Sequence, residues 1–201
     1  SVGGCSPGDS GCTETTSTTS LPPATVNGTT SCAVPGNSGW CRGGAALNLS
    51  GDEPLSGYSL TDFEGDPGTL CSAPSCTWTG YGEGVTTFNF WVHSTYGDTS
   101  NMSSATMRLD SLPPSISLSI PAPDGTNGWH VSPVTASVSG SDSNSGVASA
   151  SINGGGSTFT PGADGTYDLT ATVSDVAGNS ASASGTIRLD TAPPTAGLSI
   201  P

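Results

Sequence analysis

The chain has 201 residues, and sixteen acidic side chains against three arginines and no lysine give it a net charge of −13 at pH 7. This balance argues against nucleic acid as a partner, because binding to phosphates requires cationic side chains. Twenty-nine glycines and sixteen prolines break helices and supply turns, so the composition predicts an all-β protein with short strands and thin cores.

The beginning of the chain lacks the apolar alternation of a strand. Its segment from Thr13 to Ser20 consists almost entirely of hydroxyl residues. We therefore predict that residues 1–20 form a linker or the tail of a preceding module. Because no stretch of the sequence approaches the length of a membrane span, we expect no membrane insertion in this segment.

A repeat divides the rest of the chain. Arg108-Leu109-Asp110 returns 80 residues later as Arg188-Leu189-Asp190, and each copy precedes a Pro-Pro pair. In both parts, a Trp stands seventeen residues before the Gly of a Ser-Gly pair. A fixed period of this length predicts one module at residues 21–111 and a second at residues 112–191, each the size of a small β-domain.

The residues after the second module repeat the start of a module. We predict that residues 192–201 are the first strand of a following module. Two interpretations of Pro193 to Pro201 remain open. Either the chain continues into that module, or the strand is donated to another subunit.

Alternating apolar residues predict the strands of both modules. The clearest alternation lies at residues 116–120, 134–138, 167–173 and 187–189 of the second module and at residues 47–49 and 88–92 of the first. The first module is longer, and its extra residues lie between Ser59 and Thr79. We predict an elaborated loop there, stapled by a disulfide.

Six cysteines occur as three neighbouring pairs: Cys5 and Cys12, Cys32 and Cys41, Cys71 and Cys76. Their even number favours disulfides formed in an oxidising compartment. Structural zinc sites show C-x₂₋₄-C spacings with further Cys or His ligands, and only Cys71 to Cys76 comes near that spacing. Six cysteines allow fifteen connectivities. Among these we predict that each Cys pairs with its sequence neighbour.

Two sets of residues are candidates for surface chemistry. The Asn residues of three sequons, Asn27, Asn48 and Asn101, are candidate glycosylation sites. The aromatic residues Trp78, Tyr81 and Trp91 of the first module are candidates for binding a glycan or a protein, provided that they are exposed.

The second module carries four motifs with a family resemblance, namely Gly128-Trp129, Asp142-Ser143-Asn144-Ser145-Gly146-Val147, Asp175-Val176-Ala177-Gly178-Asn179 and Asp190-Thr191-Ala192-Pro193-Pro194. In these it resembles the bacterial Ig-like repeats of large exported surface proteins. The resemblance implies tandem Ig-like antiparallel β-sandwich modules and an extracellular or cell-surface location. The first module departs from the motifs, since Gly97-Asp98-Thr99-Ser100-Asn101 replaces the Ala-Gly-Asn turn.

Several Asp and Asn residues near predicted turns are candidate calcium ligands, because Ca²⁺ prefers carboxylate and amide oxygens. These residues are Asp110, Asp142, Asn144, Asp175, Asn179 and Asp190. The alternative is turn chemistry, in which Asp and Asn bond to their own backbone without a metal. If modules stack as in Ig-like repeats, acids at a module boundary meet loop acids of the neighbouring module.

The sequence offers no convergent nucleophile, base and acid, so we predict no catalytic residues and no enzyme activity. We interpret the chain as an extracellular structural repeat protein that forms a stalk, adhesin shaft or filament on a microbial surface. Its partners would be neighbouring Ig-like modules or copies of itself. Two alternatives remain: a glycan- or protein-binding adhesion module, and spacer domains of a larger secreted enzyme.

Overall fold

A computed structural model describes residues 22–55, 59–65, 68–79 and 82–198. This part of the chain is all-β, with thirteen strands and no helix. The N-terminal half contains β1 (Thr25–Pro35), β2 (Cys41–Asp52), β3 (Leu60–Gly65), β4 (Gly68–Ser72), β5 (Ser75–Trp78), β6 (Gly84–Ser94) and β7 (Ser103–Leu109). The C-terminal half contains β8 (Ser115–Ser119), β9 (Ala136–Ser141), β10 (Val147–Ile152), β11 (Thr158–Phe159), β12 (Gly165–Asp175) and β13 (Ser180–Leu189).

Two groups of antiparallel strands build the N-terminal half. In one group β2 pairs with β1 and β5, and in the other the order is β7-β6-β3-β4. A single parallel bridge between Cys41 and Leu109 connects β2 to β7. The two groups enclose an apolar core of Ala24, Cys41, Ala45, Leu47, Leu49, Phe63, Phe88, Phe90, Val92 and Met107.

The C-terminal half is a sandwich of two three-stranded antiparallel sheets, β10-β12-β13 and β11-β9-β8. A single parallel bridge joins His130 to Leu189, as Cys41 joins Leu109 in the other half. The core between these sheets consists of Val134, Ala136, Val138, Ile152, Leu169, Ala171, Val173, Ile187 and Leu189. The buried residues of β12 alternate with more exposed ones, because successive side chains of a strand point to opposite faces.

The predicted strands with clear apolar alternation are present. Ile120 and Val134 are the exceptions, since both lie just outside a strand. The prediction of an elaborated loop between Ser59 and Thr79 was wrong, because most of this segment forms the strands β3, β4 and β5. Their Ser, Thr, Gly and acidic residues pair through backbone groups, which do not depend on apolar alternation.

Two of the predicted disulfides are confirmed. Cys32 pairs with Cys41 across a Cα–Cα distance of 5.3 Å and links β1 to β2. Cys71 pairs with Cys76 and links β4 to β5. Cys5 and Cys12 lie outside the described residues.

The predicted module boundaries are untested, although each half has its own apolar core. Residues 1–20 lie outside the described part of the chain. The described residues after Asp190, 191–198, are exposed and form no strand. The predicted first strand at residues 192–201 is therefore not formed where the structure describes it.

Replacing Leu169 by Ala tests the sandwich core of the C-terminal half. Leu169 is 1% exposed, so we expect the Leu169→Ala variant to lose about 2–5 kcal/mol of unfolding free energy. Chemical denaturation followed by circular dichroism measures this loss. Thr170→Ala is the control, because this exposed side chain lies on the opposite face of β12. A loss below about 1 kcal/mol in Leu169→Ala would contradict the assigned core.

Candidate functional site

Three carboxyl groups meet where the two halves join. Asp110, Asp142 and Asp175 each offer an oxygen that lies within 4.8 Å of the others. Asp110 is 0% exposed and Asp175 is 2% exposed. We call these three residues the carboxylate cluster.

Two tight turns of the C-terminal half fix the orientation of the cluster. Asp142 Oδ1 accepts hydrogen bonds from the backbone N–H groups of Asn144, Ser145 and Gly146 at 3.1, 2.9 and 2.8 Å. Asp175 Oδ1 accepts hydrogen bonds from the backbone N–H groups of Gly178 and Asn179 at 2.6 and 2.8 Å. Asp and Asn favour such turns because their short side chains bond to nearby backbone.

Asp110 links the cluster to both halves. Its backbone N–H donates to the carbonyl of Cys41 in the N-terminal half at 2.8 Å. Its Oδ2 accepts from the N–H of Ser145 in the C-terminal half at 3.1 Å. Asn179 Nδ2 donates to the carbonyls of Asp110 and Leu112 at 2.9 and 3.2 Å. The segment that connects the halves is therefore hydrogen-bonded to both of them.

A second contact between the halves lies beside Asp110. The Asn37 N–H donates to the carbonyl of Ala177 at 2.8 Å, and Arg42 Nη1 donates to the carbonyl of Gly178 at 3.0 Å. A Cβ atom at Gly36 would lie 2.6 Å from the Ala177 oxygen, so this close approach requires glycine. We call this contact, together with the bonds of Asp110 and Asn179, the joint.

In the part of the chain that the structure describes, no carboxylate of the cluster forms an ion pair with a cationic side chain. Within the described ranges, the ion pairs are His93 with Glu64 and His130 with Asp124, and neither includes a cluster residue. Two carboxylates about 5 Å apart repel by roughly 3 kcal/mol at an effective dielectric constant near 20. Backbone N–H donors offset part of this repulsion, and a divalent cation would offset more.

The predicted calcium ligands separate into three groups. Asp110, Asp142 and Asp175 converge, as the boundary hypothesis requires. Asn144 lies in the turn of Asp142, while the Asn179 amide nitrogen is engaged in hydrogen bonds of the joint. Asp190 lies outside the cluster, because it is exposed and follows the opposite end of the C-terminal half.

Sequence reasoning missed the residues of the N-terminal half that form the joint. Asn37 and Arg42 contribute a backbone N–H and one guanidinium group, and neither belongs to a recognisable motif. Their one signal was their position on either side of Trp40, the landmark shared by the two repeats.

Two of the three candidate binding aromatics, Trp78 and Trp91, are half-buried. Trp78 packs against the N-terminal core, with its ring centroid 5.2 Å from that of Phe88. Trp91 is half-buried, and Tyr81 lies outside the described residues. A groove of about 430 Å³ is lined elsewhere by Ser31, Cys32, Ala33, Gly44, Ala45, Ala46, Thr79 and Leu109. Trp78 and Trp91 are not among these lining residues.

The three sequon residues differ in their surroundings. Asn27 and Asn101 are exposed, so glycosylation there stays a prediction. Asn48 Nδ2 donates to the hydroxyl of Ser31 at 2.9 Å, and its Oδ1 accepts from Thr77 at 3.0 Å. Nδ2 also donates to the Thr29 carbonyl at 3.5 Å. A glycan replaces one hydrogen of Nδ2 and would remove one of these two donations, which disfavours that site.

A second cluster of titratable side chains lies on the outer face of the N-terminal half and consists of Asp62, Glu64 and His93. His93 Nε2 lies 3.2 Å from Glu64, and its Nδ1 lies 3.0 Å from the hydroxyl of Thr99. The three residues are each half-buried. Partners within the protein account for both nitrogens of the imidazole.

The turn of Asp98 provides a test of the electrostatics. A hydrogen bond from the Ser94 hydroxyl holds the pKa of Asp98 below its ordinary value of 3.8, against a smaller opposing effect of burial. We expect Ser94→Ala to raise this pKa towards 3.8, measured by NMR titration of the Asp98 carboxyl carbon. Because the folded-state pKa is lowered, the associated stability is present above pH 3.8 and is lost as the pH falls through the folded value. Ser104→Ala, at an exposed residue, should leave the titration unchanged, and an unshifted Asp98 in Ser94→Ala would contradict the assignment.

Comparison with known proteins finds a family model that matches part of the chain. Residues 121–191 match the sequence model of the bacterial Ig-like domain family. A search among curated proteins finds no match. Among solved structures, the chain is similar to one titled "Structures of Clostridium thermocellum CbhA fibronectin(III)-like modules". That similarity has 15% identity, covers 81% of this chain and 94% of that chain, and has a TM-score of 0.34.

Domains of the matched family are generally non-catalytic, and the match supports a role as a surface or extracellular module in general. The two disulfides are compatible with an extracellular location. No helix among the described residues is long and apolar enough to span a membrane. The match to residues 121–191 confirms, for this part of the chain, the resemblance to bacterial Ig-like domains that the sequence motifs predict.

Proposed function

We propose that this chain is a structural part of an extracellular surface protein, in which successive Ig-like modules are held in a fixed relative orientation to form a stalk or shaft. The observation that carries the proposal is the joint. A shaft requires resistance to bending between its modules, and bending here would break several hydrogen bonds at once. The N-terminal and C-terminal halves are the two modules in this interpretation.

The joint leaves little freedom to the connecting chain. β7 ends at Leu109 and β8 begins at Ser115, so five residues connect the halves. Asp110, the first of these, is fully buried. Pro113 and Pro114 follow, and paired prolines favour an extended and stiff backbone. A short connection with a buried start and a stiff end supports a fixed orientation.

The hydrogen bonds of the joint also resist separation of the halves. Asp110 and Asn179 are bonded to groups of the opposing half or of the connecting segment. Separating the halves would leave a carboxylate and an amide without these partners. An unsatisfied polar group that stays buried costs about 1–3 kcal/mol, so partial opening of the joint is unfavourable.

We further propose that a calcium ion binds the carboxylate cluster and stabilises the joint. The 4.8 Å limit on the separation of its oxygens is about twice a typical Ca²⁺–oxygen distance of 2.4 Å, so the three oxygens fit around one ion. Asp110 precedes the C-terminal half, whereas Asp142 and Asp175 lie within it. A shared ion would therefore connect the start of the linker to two turns of the following module.

The function of the joint is tested by Asn179→Ala. This change removes the donor to Asp110 and Leu112, so we expect the halves to reorient independently. In the wild-type chain, residual dipolar couplings of both halves should fit one alignment tensor, and in the variant they should need two. Asn89→Ala, at an exposed residue of β6, is the control. Two different tensors in the wild-type chain would overturn the proposed shaft.

The calcium proposal is tested by thermal unfolding with and without the ion. At a concentration 100 times the dissociation constant, one bound ion adds about 2.7 kcal/mol of stability, which raises Tm by on the order of 5–10 °C for a chain of this size. We expect Asp142→Asn to abolish this rise. Asp168→Asn is the control, because Asp168 is an exposed carboxylate of β12 outside the cluster. An equal rise in all three proteins would indicate nonspecific screening of charge and would contradict the site.

A further inference from the structure

The turn that the N-terminal half contributes to the joint has a counterpart in the C-terminal half. In the first turn, Gly36 N–H donates to the Trp40 carbonyl at 2.8 Å, and in the second, Gly125 N–H donates to the Trp129 carbonyl at 2.9 Å. The central residues also agree: Ser38 and Gly39 have φ of 52° and 77°, and Asn127 and Gly128 have φ of 54° and 78°. The two turns therefore share one backbone conformation.

The residue that follows each half is held in the same way. Asp110 N–H donates to the Cys41 carbonyl at 2.8 Å, and Asp190 N–H donates to the His130 carbonyl at 2.9 Å. Asp110 Oδ1 accepts from Leu112 at 3.3 Å, and Asp190 Oδ1 accepts from Ala192 at 3.2 Å. The next residues match as well, because an acidic side chain binds the N–H and the hydroxyl of both Ser111 and Thr191.

Asp110 and Asp190 differ in the residues that cover them. Asp110 is 0% exposed, because Ser145 and Asn179 of the C-terminal half lie over it. Asp190 is exposed, and so is Thr126, which stands where Asn37 stands in the joint. Val131, at the position of Arg42, is 54% exposed although it is apolar. These three residues, with the turn between Thr126 and Val131, form what we call the end face.

We propose that the end face is a docking site for a further Ig-like module that presents the same two turns as the C-terminal half, an Asp-x-x-Ser-Gly turn and an Asp-x-Ala-Gly-Asn turn. This inference rests on the proposed function and adds the identity of the partner. The partner's Asn would donate to the carbonyls of Asp190 and Ala192. Its Ala carbonyl would accept from Thr126 N–H, as Ala177 accepts from Asn37.

The N-terminal half of a second copy does not fit this site. The turn of Ser94 and Asp98 in the N-terminal half matches that of Asp175 and Asn179, since Ser94 N–H donates to the Asp98 carbonyl at 3.2 Å and Asp175 N–H to the Asn179 carbonyl at 3.0 Å. Asp98 thus stands where the joint needs Asn179.

This exchange of an amide for a carboxylate changes the chemistry of docking. A carboxylate has no N–H group to donate to two carbonyls. Glu53 does not distinguish the two halves, because its carboxylate accepts from Leu55 N–H two residues on, as that of Asp142 accepts from Asn144. We call a module like the C-terminal half C-type and one like the N-terminal half N-type. The end face should therefore select a C-type module over an N-type module, which disfavours head-to-tail assembly of identical chains.

Two extended chains test this proposal. In the C-type extension, the full chain through Pro194 is followed by a second copy of residues 115–191. In the N-type extension, it is followed by a second copy of residues 24–111. The readout is amide hydrogen exchange of Thr126, measured by NMR. We expect exchange at Thr126 to slow at least tenfold in the C-type extension and to be unchanged in the N-type extension.

A matched control is Asn179→Asp in the appended copy of the C-type extension, which mimics Asp98 and leaves the appended core intact. We expect it to return Thr126 to the exchange rate of the unextended chain. Slow amides of the appended core show in the same spectra that the added copy is folded. An unprotected Thr126 beside a folded C-type copy, or equal protection by the N-type copy, would overturn the proposal.

The Asn37 amide of the same samples separates this inference from the proposed function. If Asn37 exchanges slowly while Thr126 does not, the joint stands and the end face has no such partner. If the Asn37 amide exchanges as fast as an unprotected amide, both the proposed fixed joint and the proposed docking site are contradicted.

Discussion

The position of Asp110 between two halves is the constraint on which the rest of the joint depends. Its backbone is bonded to Cys41 in one half, and its side chain and carbonyl are bonded to Ser145 and Asn179 in the other. A buried carboxylate is tolerated only when its oxygens have partners. Because those partners come from the C-terminal half, the two halves must keep one relative placement for Asp110 to remain both buried and bonded.

This arrangement differs from an interface held by apolar area. The side chains that form hydrogen bonds in the joint belong to Asp110, Asn179 and Arg42, and their partners across the joint are main-chain groups. Hydrogen bonds are directional, so such a contact specifies an angle between modules more strongly than a smooth apolar surface would. The close approach at Gly36 and Gly178 adds a steric condition. Directional hydrogen bonds of this kind suit a contact that must keep two modules in one relative orientation.

The two halves achieve stability by different means on related frameworks. The N-terminal half packs Phe63, Phe88 and Phe90 in its core. It has two disulfides, one between the paired strands β1 and β2 and one between β4 and β5, which belong to different groups of strands. The described C-terminal half contains no cysteine and relies on a core of Val, Ile, Leu and Ala. Cys41 connects these features, because its side chain forms a disulfide while its carbonyl holds Asp110. The bridge therefore stiffens the strand on which the joint is built.

The sequence by itself determined the all-β class and the longer strands, because apolar alternation is a local property of a chain. The short Cys separations favoured the two local disulfides without fixing them. The sequence did not reveal β3 to β5 or the packing of Trp78, since backbone pairing and the coverage of a side chain depend on neighbouring strands. The sequence also nominated Asp110 and Asp190 equally, as they occupy the same place in the repeat. Only the tertiary structure distinguished them: turns distant in sequence lie over Asp110 and bring Asp142 and Asp175 to it, whereas Asp190 stays exposed. Which acids share a site is decided by the position of turns in space, and that position is set by the packing of sheets rather than by any local pattern.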